Sequence, residues 1–160
     1  MPNVQGLPLL KPPYGRITAY DMNKGDVAWQ IPNGDTPPNV KEIFAKLGLA
    51  NVPPTGFPSQ AGLLVTKTLL IGGEGGGGRP LLHAYDKKTG SNIAELPMPG
   101  TQSGLPMTYV YQNRQFIVLS VGGQPAGQLV AFALPVPGAA GGRGGRGGRG
   151  AAPAPAPQDQ

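Results

Sequence analysis

Ala84-Tyr85-Asp86-Lys87-Lys88-Thr89-Gly90 repeats a turn found earlier in the chain as Ala19-Tyr20-Asp21-Met22-Asn23-Lys24-Gly25. In both copies an extended apolar run leads into Ala-Tyr-Asp, and a glycine follows four residues after the aspartate. Aspartate accepts hydrogen bonds from the backbone amides ahead of it, and glycine adopts the positive φ that lets the chain return, so each copy predicts a β-hairpin turn. Such turns are common by themselves, but the identical preceding dipeptide favours a true repeat, and repeats indicate stacked supersecondary units.

The composition is typical of a turn-rich all-β protein of one domain. Of the 160 residues, 27 are glycine and 20 are proline, and charged residues make up 13%, too few for long solvated helices. Cysteine is absent, which excludes disulfides, thiolate metal sites and cysteine nucleophiles. No apolar run has the length of a membrane span. No basic segment followed by an apolar stretch marks a signal peptide at the N-terminus.

Alternating and apolar runs between the turns predict a series of short strands. Four short strands per unit, with the unit then restarting, is the pattern of β-propeller blades. We therefore divide the chain into a leading loop (1–13), propeller blades (14–137) and a tail (138–160). The strands are predicted over 15–20, 26–31, 62–66, 68–73, 80–85, 91–96, 107–111, 115–121 and 129–134.

One insertion, from Asn33 to Pro58, interrupts the strand pattern and predicts a short helix over about 39–48. Asn39 stands where an N-cap is expected, with Glu42 three residues later as in a capping box. Gly48 ends the helix. Ile43, Phe44 and Leu47 are expected to face inward.

The tail beyond Pro137 is of low complexity, with three Gly-Gly-Arg units followed by alternating Ala-Pro. It has no apolar surface to offset the entropy of ordering, so we predict disorder. Arg-Gly-Gly repeats also resemble RNA-binding segments. The three arginines have no aromatic residues between them, which favours a flexible extension over RNA binding.

The pattern Ala19-x-Asp21-x-x-x-Gly25-x-x-x-Trp29 resembles the tryptophan-docking motif of dehydrogenases that depend on pyrroloquinoline quinone (PQQ). In that family the tryptophan ends a blade and stacks against the next. The second copy keeps Ala84, Asp86 and Gly90 but has Ala94 in place of tryptophan. Further similarity to the membrane-associated glucose, quinate and shikimate type lies in Leu7–Gly15, Pro106–Tyr109, Val121–Gly123 and Leu129–Pro135.

The resemblance implies the C-terminal part of an eight-bladed propeller. The chain would supply the outer strands of one blade, one complete blade and three strands of the last blade. Such a partial propeller has open sheet edges, which invite pairing. We therefore expect a partner that carries the missing blades, as a separate or an upstream polypeptide. The family also implies a location on the periplasmic side of the inner membrane.

Family enzymes oxidise a sugar or cyclic-alcohol hydroxyl with PQQ and Ca²⁺ near the ring axis, and a carboxylate acts as general base. The residues for calcium and for the base lie in earlier blades, so no catalytic or metal residue is predicted here. The resemblance places Gly122, Gly123, Gln124 and Gln60 in the cofactor wall. Glycines permit close backbone approach to a flat ligand, and Gln124 offers an amide to a quinone or carboxylate oxygen. The alternatives are an ordinary glycine-rich turn and, for Gln60, a surface position.

Two further polar residues, Glu74 and His83, are expected to have no direct role in function. Glu74 lies within a run of glycines, where a carboxylate is expected to be solvated, although relatives direct this loop towards the site. His83, the only histidine, lies in a predicted strand and is expected to be packed or at an edge. The resulting hypothesis is a part of a PQQ-dependent dehydrogenase that is inactive alone. The alternative is a PQQ-like repeat scaffold that binds no quinone.

Overall fold

A computed structural model of the chain describes residues 3–59, 61–123 and 127–134. Within these ranges the chain forms short antiparallel strands and one helix, as the sequence predicts for an all-β protein. The elements are β1 (Asn3–Val4), β2 (Leu7–Pro8), β3 (Arg16–Asp21), β4 (Asp26–Pro32), α1 (Pro38–Lys46), β5 (Leu64–Val65), β6 (Leu69–Gly73), β7 (Leu81–Asp86), β8 (Asn92–Pro97), β9 (Met107–Tyr111), β10 (Arg114–Val121) and β11 (Gln128–Ala133).

The strands form three successive antiparallel sheets of two, four and three strands, together with a small β1–β2 pair. The first sheet pairs β3 with β4, the second runs from β5 to β8, and the third runs from β9 to β11. This is the predicted series of the outer strands of one blade, one complete blade and three strands of another. The partial propeller is therefore confirmed.

Two apolar clusters lie between neighbouring sheets and hold them together. Ile17, Leu70 and Tyr85 join the first sheet to the second. A larger cluster joins the second sheet to the third, and every buried member is at most 7% exposed. It comprises Ile71, Leu82, Met98, Leu119 and Val121. Burial of apolar surface between the sheets is the main favourable term in their association.

The two hairpins that the sequence repeat predicts have the same register. Ala19 lies opposite Trp29, Ala84 lies opposite Ala94, and in each hairpin the register shifts directly after the alanine. Gly25 and Gly90 both have φ of 75°. Their amides donate to the carbonyl oxygens of Asp21 and Asp86 at 2.8 and 2.9 Å. The sequence repeat is therefore also a structural repeat, which includes the β-bulge after the alanine.

The helix is confirmed, but its predicted capping is wrong. It begins at Pro38, and Pro37 occupies the N-cap position without a side-chain hydrogen bond. Two prolines preset the φ of the first turn and start the helix without a cap. The buried residues are Val40 and Phe44, whereas Leu47 is exposed. Gly48 ends the helix as predicted, with φ of 68°.

The leading segment 1–13 is not wholly a loop, because β1 and β2 pair within it. Gln5 and Gly6 both adopt positive φ between these strands, which makes a tight turn. The tail from Pro135 onward lies outside the described residues. The disorder predicted for the tail therefore remains a prediction, and RNA binding remains its less favoured alternative.

Trp29 of the first sheet contacts the turn of the second. Its indole Nε1 donates to the Lys87 carbonyl oxygen at 3.0 Å. A Cβ placed on Gly90 would lie 2.8 Å from Cε3 of this ring, so the indole packs directly on the glycine. Ala94, at the equivalent position of the second hairpin, is exposed and presents no ring.

We expect Trp29→Phe to lower the free energy of unfolding by about 1 kcal/mol, because the ring contact remains and the indole hydrogen bond is lost. Urea unfolding followed by circular dichroism measures this, since the chain has no other tryptophan for fluorescence. Tyr20→Phe is the control, because Tyr20 is exposed and its substitution should change stability by less than about 0.5 kcal/mol. Equal effects of the two substitutions would contradict a specific contact between the sheets.

Candidate functional site

Gln102 is the residue on which the candidate site converges, and it is only 3% exposed. Its Nε2 donates to the carbonyl oxygens of Gly62 at 2.7 Å and Gly104 at 2.8 Å. Its Oε1 accepts the amide hydrogen of Gly73 at 2.5 Å. One side chain therefore ties the segment before β5, the end of β6 and the segment before β9 to one another.

The backbone around Gln102 reaches the third sheet as well. Gln102 forms an isolated antiparallel bridge with Val121 at the end of β10. On one side of the bridge the Gly122 amide donates to the Thr101 carbonyl oxygen at 2.7 Å. On the other side Ser103 donates its amide to the carbonyl oxygen of Ser120 at 3.0 Å. These contacts fix the end of β10 beside the end of β6 and beside the segment that precedes β5.

This arrangement brings together the parts of the chain to which sequence reasoning assigned the cofactor wall. Gly122 and Gly123 directly follow the Gln102–Val121 bridge. A Cβ on Gly123 would meet no atom of the described residues within 4 Å, so among them its backbone is open to approach by another group. Gln60 and Gln124 lie outside the described residues, and their roles remain predictions.

Gln102 itself was missed by the sequence interpretation. A glutamine between a threonine and a serine carries no recognisable motif, and its importance depends on the backbone groups of Gly62 and Gly73, which are distant in sequence. Gly100 nearby was also missed. A Cβ on Gly100 would overlap the Gly122 carbonyl oxygen, so this position requires glycine.

A cavity of about 820 Å³ adjoins this convergence point. Ala61 and Leu63, which flank Gly62, line it, so its wall continues into the segment that Gln102 holds. The volume lies within the usual range for small-molecule sites. Aromatic, cationic and hydroxyl side chains face it, among them Tyr14, Arg16, Phe57 and Ser59.

Asn33 fixes one side of this cavity and was also missed from the sequence. It is buried, and its side-chain amide donates to the Phe57 carbonyl oxygen at 3.3 Å and to Ser59 Oγ at 3.2 Å. The same amide lies 3.4 Å from the carbonyl oxygen of Glu74. Asn33 thus connects the end of the first sheet to the cavity lining and to the glycine-rich loop, defined as residues 74–80 between β6 and β7.

Glu74, which we expected to be solvated, is 0% exposed. Its carboxylate accepts the Arg79 amide at 2.7 Å, Arg79 Nε at 2.8 Å and Arg79 Nη2 at 2.7 Å. His83 Nε2 lies 3.1 Å from the same carboxylate. The expectation failed because the neighbouring glycines let the loop fold inward. A Cβ on Gly34 would lie only 2.5 Å from Glu74 Cδ, so a glycine there makes room for the carboxylate.

Hydrogen bonding keeps the buried carboxyl ionised. Burial raises the pKa of Glu74, but hydrogen bonds from His83 and from the side chain and backbone of Arg79 outweigh it and hold the pKa below its ordinary value. Burial, with the nearby charges of Glu74 and Glu95, raises the pKa of Tyr85 to about 12. Tyr85 is therefore a neutral phenol at physiological pH.

We assign no metal-ligand role to a described residue. In the ranges that the structure describes, no three histidine or carboxylate side chains come together as a metal would require. No helix in the same ranges has the length and apolar character needed to cross a membrane.

Comparison with known proteins agrees with the fold and with the motifs. Residues 1–117 match the family model described as the β-propeller domain of PQQ glucose/ethanol/alcohol dehydrogenases. The chain is 31% identical over 140 residues to a "Probable quinate dehydrogenase (quinone)" of Xanthomonas campestris pv. juglandis, covering 81% of this chain and 17% of that protein.

Two other relatives give the same result. Identity to the quinate/shikimate dehydrogenase (quinone) of Acinetobacter baylyi is 33% over 123 residues, which is 74% of this chain and 14% of that protein. Identity to the quinoprotein glucose dehydrogenase of Escherichia coli K12 is 29% over 138 residues, which is 81% of this chain and 17% of that protein. The chain thus spans less than a fifth of the length of each of these relatives. Since the family model covers well over half of the chain, the protein belongs to the family of PQQ-dependent glucose/ethanol/alcohol dehydrogenases, with the fold of their β-propeller domain.

Proposed function

We propose that this chain supplies consecutive blades and part of the cofactor wall of a PQQ-dependent dehydrogenase that oxidises a hydroxyl of a sugar or cyclic alcohol. Quinate, shikimate and glucose are the candidate substrates, because they are named in the relatives. The single observation that supports the wall is the convergence of three segments on Gln102 beside a cavity of about 820 Å³.

The residues present fit one side of a flat, anionic quinone. Gly123 leaves its backbone open to close approach, and Tyr14, Phe57 and Arg16 line the cavity. We propose that the amides of Gln60 and Gln124 add hydrogen bonds to the cofactor oxygens. PQQ, when bound, accepts the electrons that leave the alcohol carbon, whereas this chain binds and orients it. The Ca²⁺ of the family enzyme is assigned to the remaining blades.

Catalysis, in this proposal, requires blades beyond those described here, on the same polypeptide or on another. The support is the size of the sheets, since within the described residues the first has two strands and the third has three. The third sheet also leaves large apolar side chains exposed on its strands, including Leu129 at 76%. Further strands that pair with these sheets would cover both the free edges and this apolar surface. From the family alone we place the assembled enzyme on the periplasmic side of the inner membrane.

We expect this chain with PQQ and Ca²⁺ to give no dye reduction with quinate or glucose above that of PQQ and Ca²⁺ without protein. The reason is that it contributes positioning groups and no general base. The measurement is dye-linked oxidation followed spectrophotometrically. Clear turnover by the chain alone would overturn the requirement for further blades.

The positive test is a chimera in which this chain replaces the matching segment of the Acinetobacter quinate/shikimate dehydrogenase. We expect PQQ-dependent dye reduction with quinate, and none from the same enzyme with the segment deleted. A chimera that folds as its parent does but binds no PQQ would refute the cofactor wall. That result would favour the alternative function, a repeat scaffold without quinone.

A further inference from the structure

The only histidine of the chain, His83, lies in β7 between two carboxylates and is 2% exposed. Its Nε2 lies 3.1 Å from Oε1 of Glu74, in the glycine-rich loop. Its Nδ1 lies 3.3 Å from Oε1 of Glu95, on the neighbouring strand β8, and 3.4 Å from Nδ2 of Asn92. The ring therefore connects the loop on one side to β8 on the other.

The two ring nitrogens have different requirements. A carboxylate only accepts hydrogen bonds, so Nε2 must carry a hydrogen to bind Glu74 in every protonation state of the ring. Nδ1 lies at almost the same distance from a donor, Nδ2 of Asn92, and from an acceptor, Oε1 of Glu95. Without a hydrogen it accepts from Asn92, and with a hydrogen it donates to Glu95.

Charged groups of two other segments surround the ring. Glu74 and Glu95 carry two negative charges, and Arg79 of the loop supplies one positive charge, with Nη2 2.7 Å from Glu74 and 4.0 Å from Glu95. Asp35, in the segment after β4, lines a second cavity, of about 350 Å³, which His83 also lines, but Lys41 pairs with Asp35 at 2.6 Å.

One aromatic neighbour completes these surroundings. Tyr85 stacks on His83 with ring centroids 5.6 Å apart and stays neutral. Glu74, Glu95 and Arg79 together place one net negative charge beside the ring.

We propose that His83 is a proton-responsive positioning residue for the glycine-rich loop. On acidification a solvent proton binds Nδ1, the contact with Asn92 is exchanged for one with Glu95, and the contact with Glu74 becomes charge-assisted and stronger. The loop is then held more firmly against β7 and β8. Gly76 of this loop lines the cavity of about 820 Å³. An effect of the loop on cofactor binding in that cavity rests on the proposed function, whereas the proton exchange at His83 does not.

Nuclear magnetic resonance of the full ¹⁵N-labelled chain tests this directly, because a single histidine gives a single pair of ring nitrogen signals. At pH 8 we expect the tautomer with hydrogen on Nε2, and on acidification Nδ1 should gain a hydrogen while Nε2 keeps its own. Over the same range the Arg79 amide, which donates to Glu74, should exchange with solvent about fivefold more slowly after correction for the intrinsic rate.

Glu95→Gln removes the acceptor charge from a partly exposed position and should abolish this slowing while leaving the tautomer unchanged. Glu42→Gln, an exposed site on α1, is the matched control and should behave as the parent. A neutral ring with hydrogen on Nδ1, or equal slowing in both variants, would overturn the proposal. These readouts need neither PQQ nor turnover, so their failure is distinguishable from failure of the proposed function.

Discussion

Replacing Gln102 with leucine is expected to lower the free energy of unfolding by about 2–4 kcal/mol, because a buried donor loses its partner. Leucine fills much of the same space but bonds neither the Gly73 amide nor the carbonyl oxygens of Gly62 and Gly104. The Gly73 amide is buried and dominates the cost, whereas the two carbonyl groups are partly exposed and reach water. Urea unfolding followed by circular dichroism measures the loss.

The matched control for Gln102 is Gln115→Leu, on the exposed part of β10. Its side chain donates to the Thr108 hydroxyl at 2.9 Å in solvent, so we expect a change of less than about 0.5 kcal/mol. If the two substitutions cost the same, Gln102 does not hold the three segments together. In the dehydrogenase chimera, Gln102→Leu should also weaken PQQ binding, since the proposed cofactor wall depends on these contacts.

Glu74→Gln is expected to cost about 2–3 kcal/mol at pH 7, somewhat less than the roughly 3–5 kcal/mol seen when a fully buried ion pair loses one partner. The amide is the same size as the carboxylate, but its NH₂ group cannot accept the hydrogen bonds that Arg79 and His83 donate. The cost is limited because the Arg79 side chain is 45% exposed and can turn to water. Glu42→Gln on α1 changes the same charge in solvent and should leave stability unchanged within about 0.5 kcal/mol.

The stabilisation by Glu74 depends on pH with a defined sign. The pKa of Glu74 in the folded chain lies below its ordinary value of 4.5, so the contribution is complete above that value. It is lost as the pH falls through the folded-state pKa. The difference in unfolding free energy between the parent and Glu74→Gln should therefore shrink below pH 4.5. A difference that stays constant down to pH 2 would contradict an ionised Glu74.

The repeat around Asp21 and Asp86 illustrates what local chemistry can predict. An aspartate that accepts backbone amides and a glycine with positive φ make the same turn wherever they occur, and both hairpins have the predicted form. The strand series and the sheet sizes follow from such local signals. The helix shows the limit, because Pro37 and Pro38 started it two residues earlier than a capping box at Asn39 would have done.

For the candidate site, the sequence predicted the glycines of the cofactor wall but not the residues that hold them. Glu74 resembled a solvated acid because its partners Arg79 and His83 reach it only when the loop folds inward. Gly34, which follows β4, leaves space for the Glu74 carboxylate because it has no Cβ.

The sequence by itself determined the blades of this protein, their turns and its membership of the PQQ-dependent dehydrogenase family, because these depend on residues close together in the chain. Only the tertiary structure decided that Gln102 joins three segments and that Glu74 and His83 form one buried cluster. Such contacts depend on how separate sheets pack, and a polar side chain finds its partners only after packing has excluded water from around it.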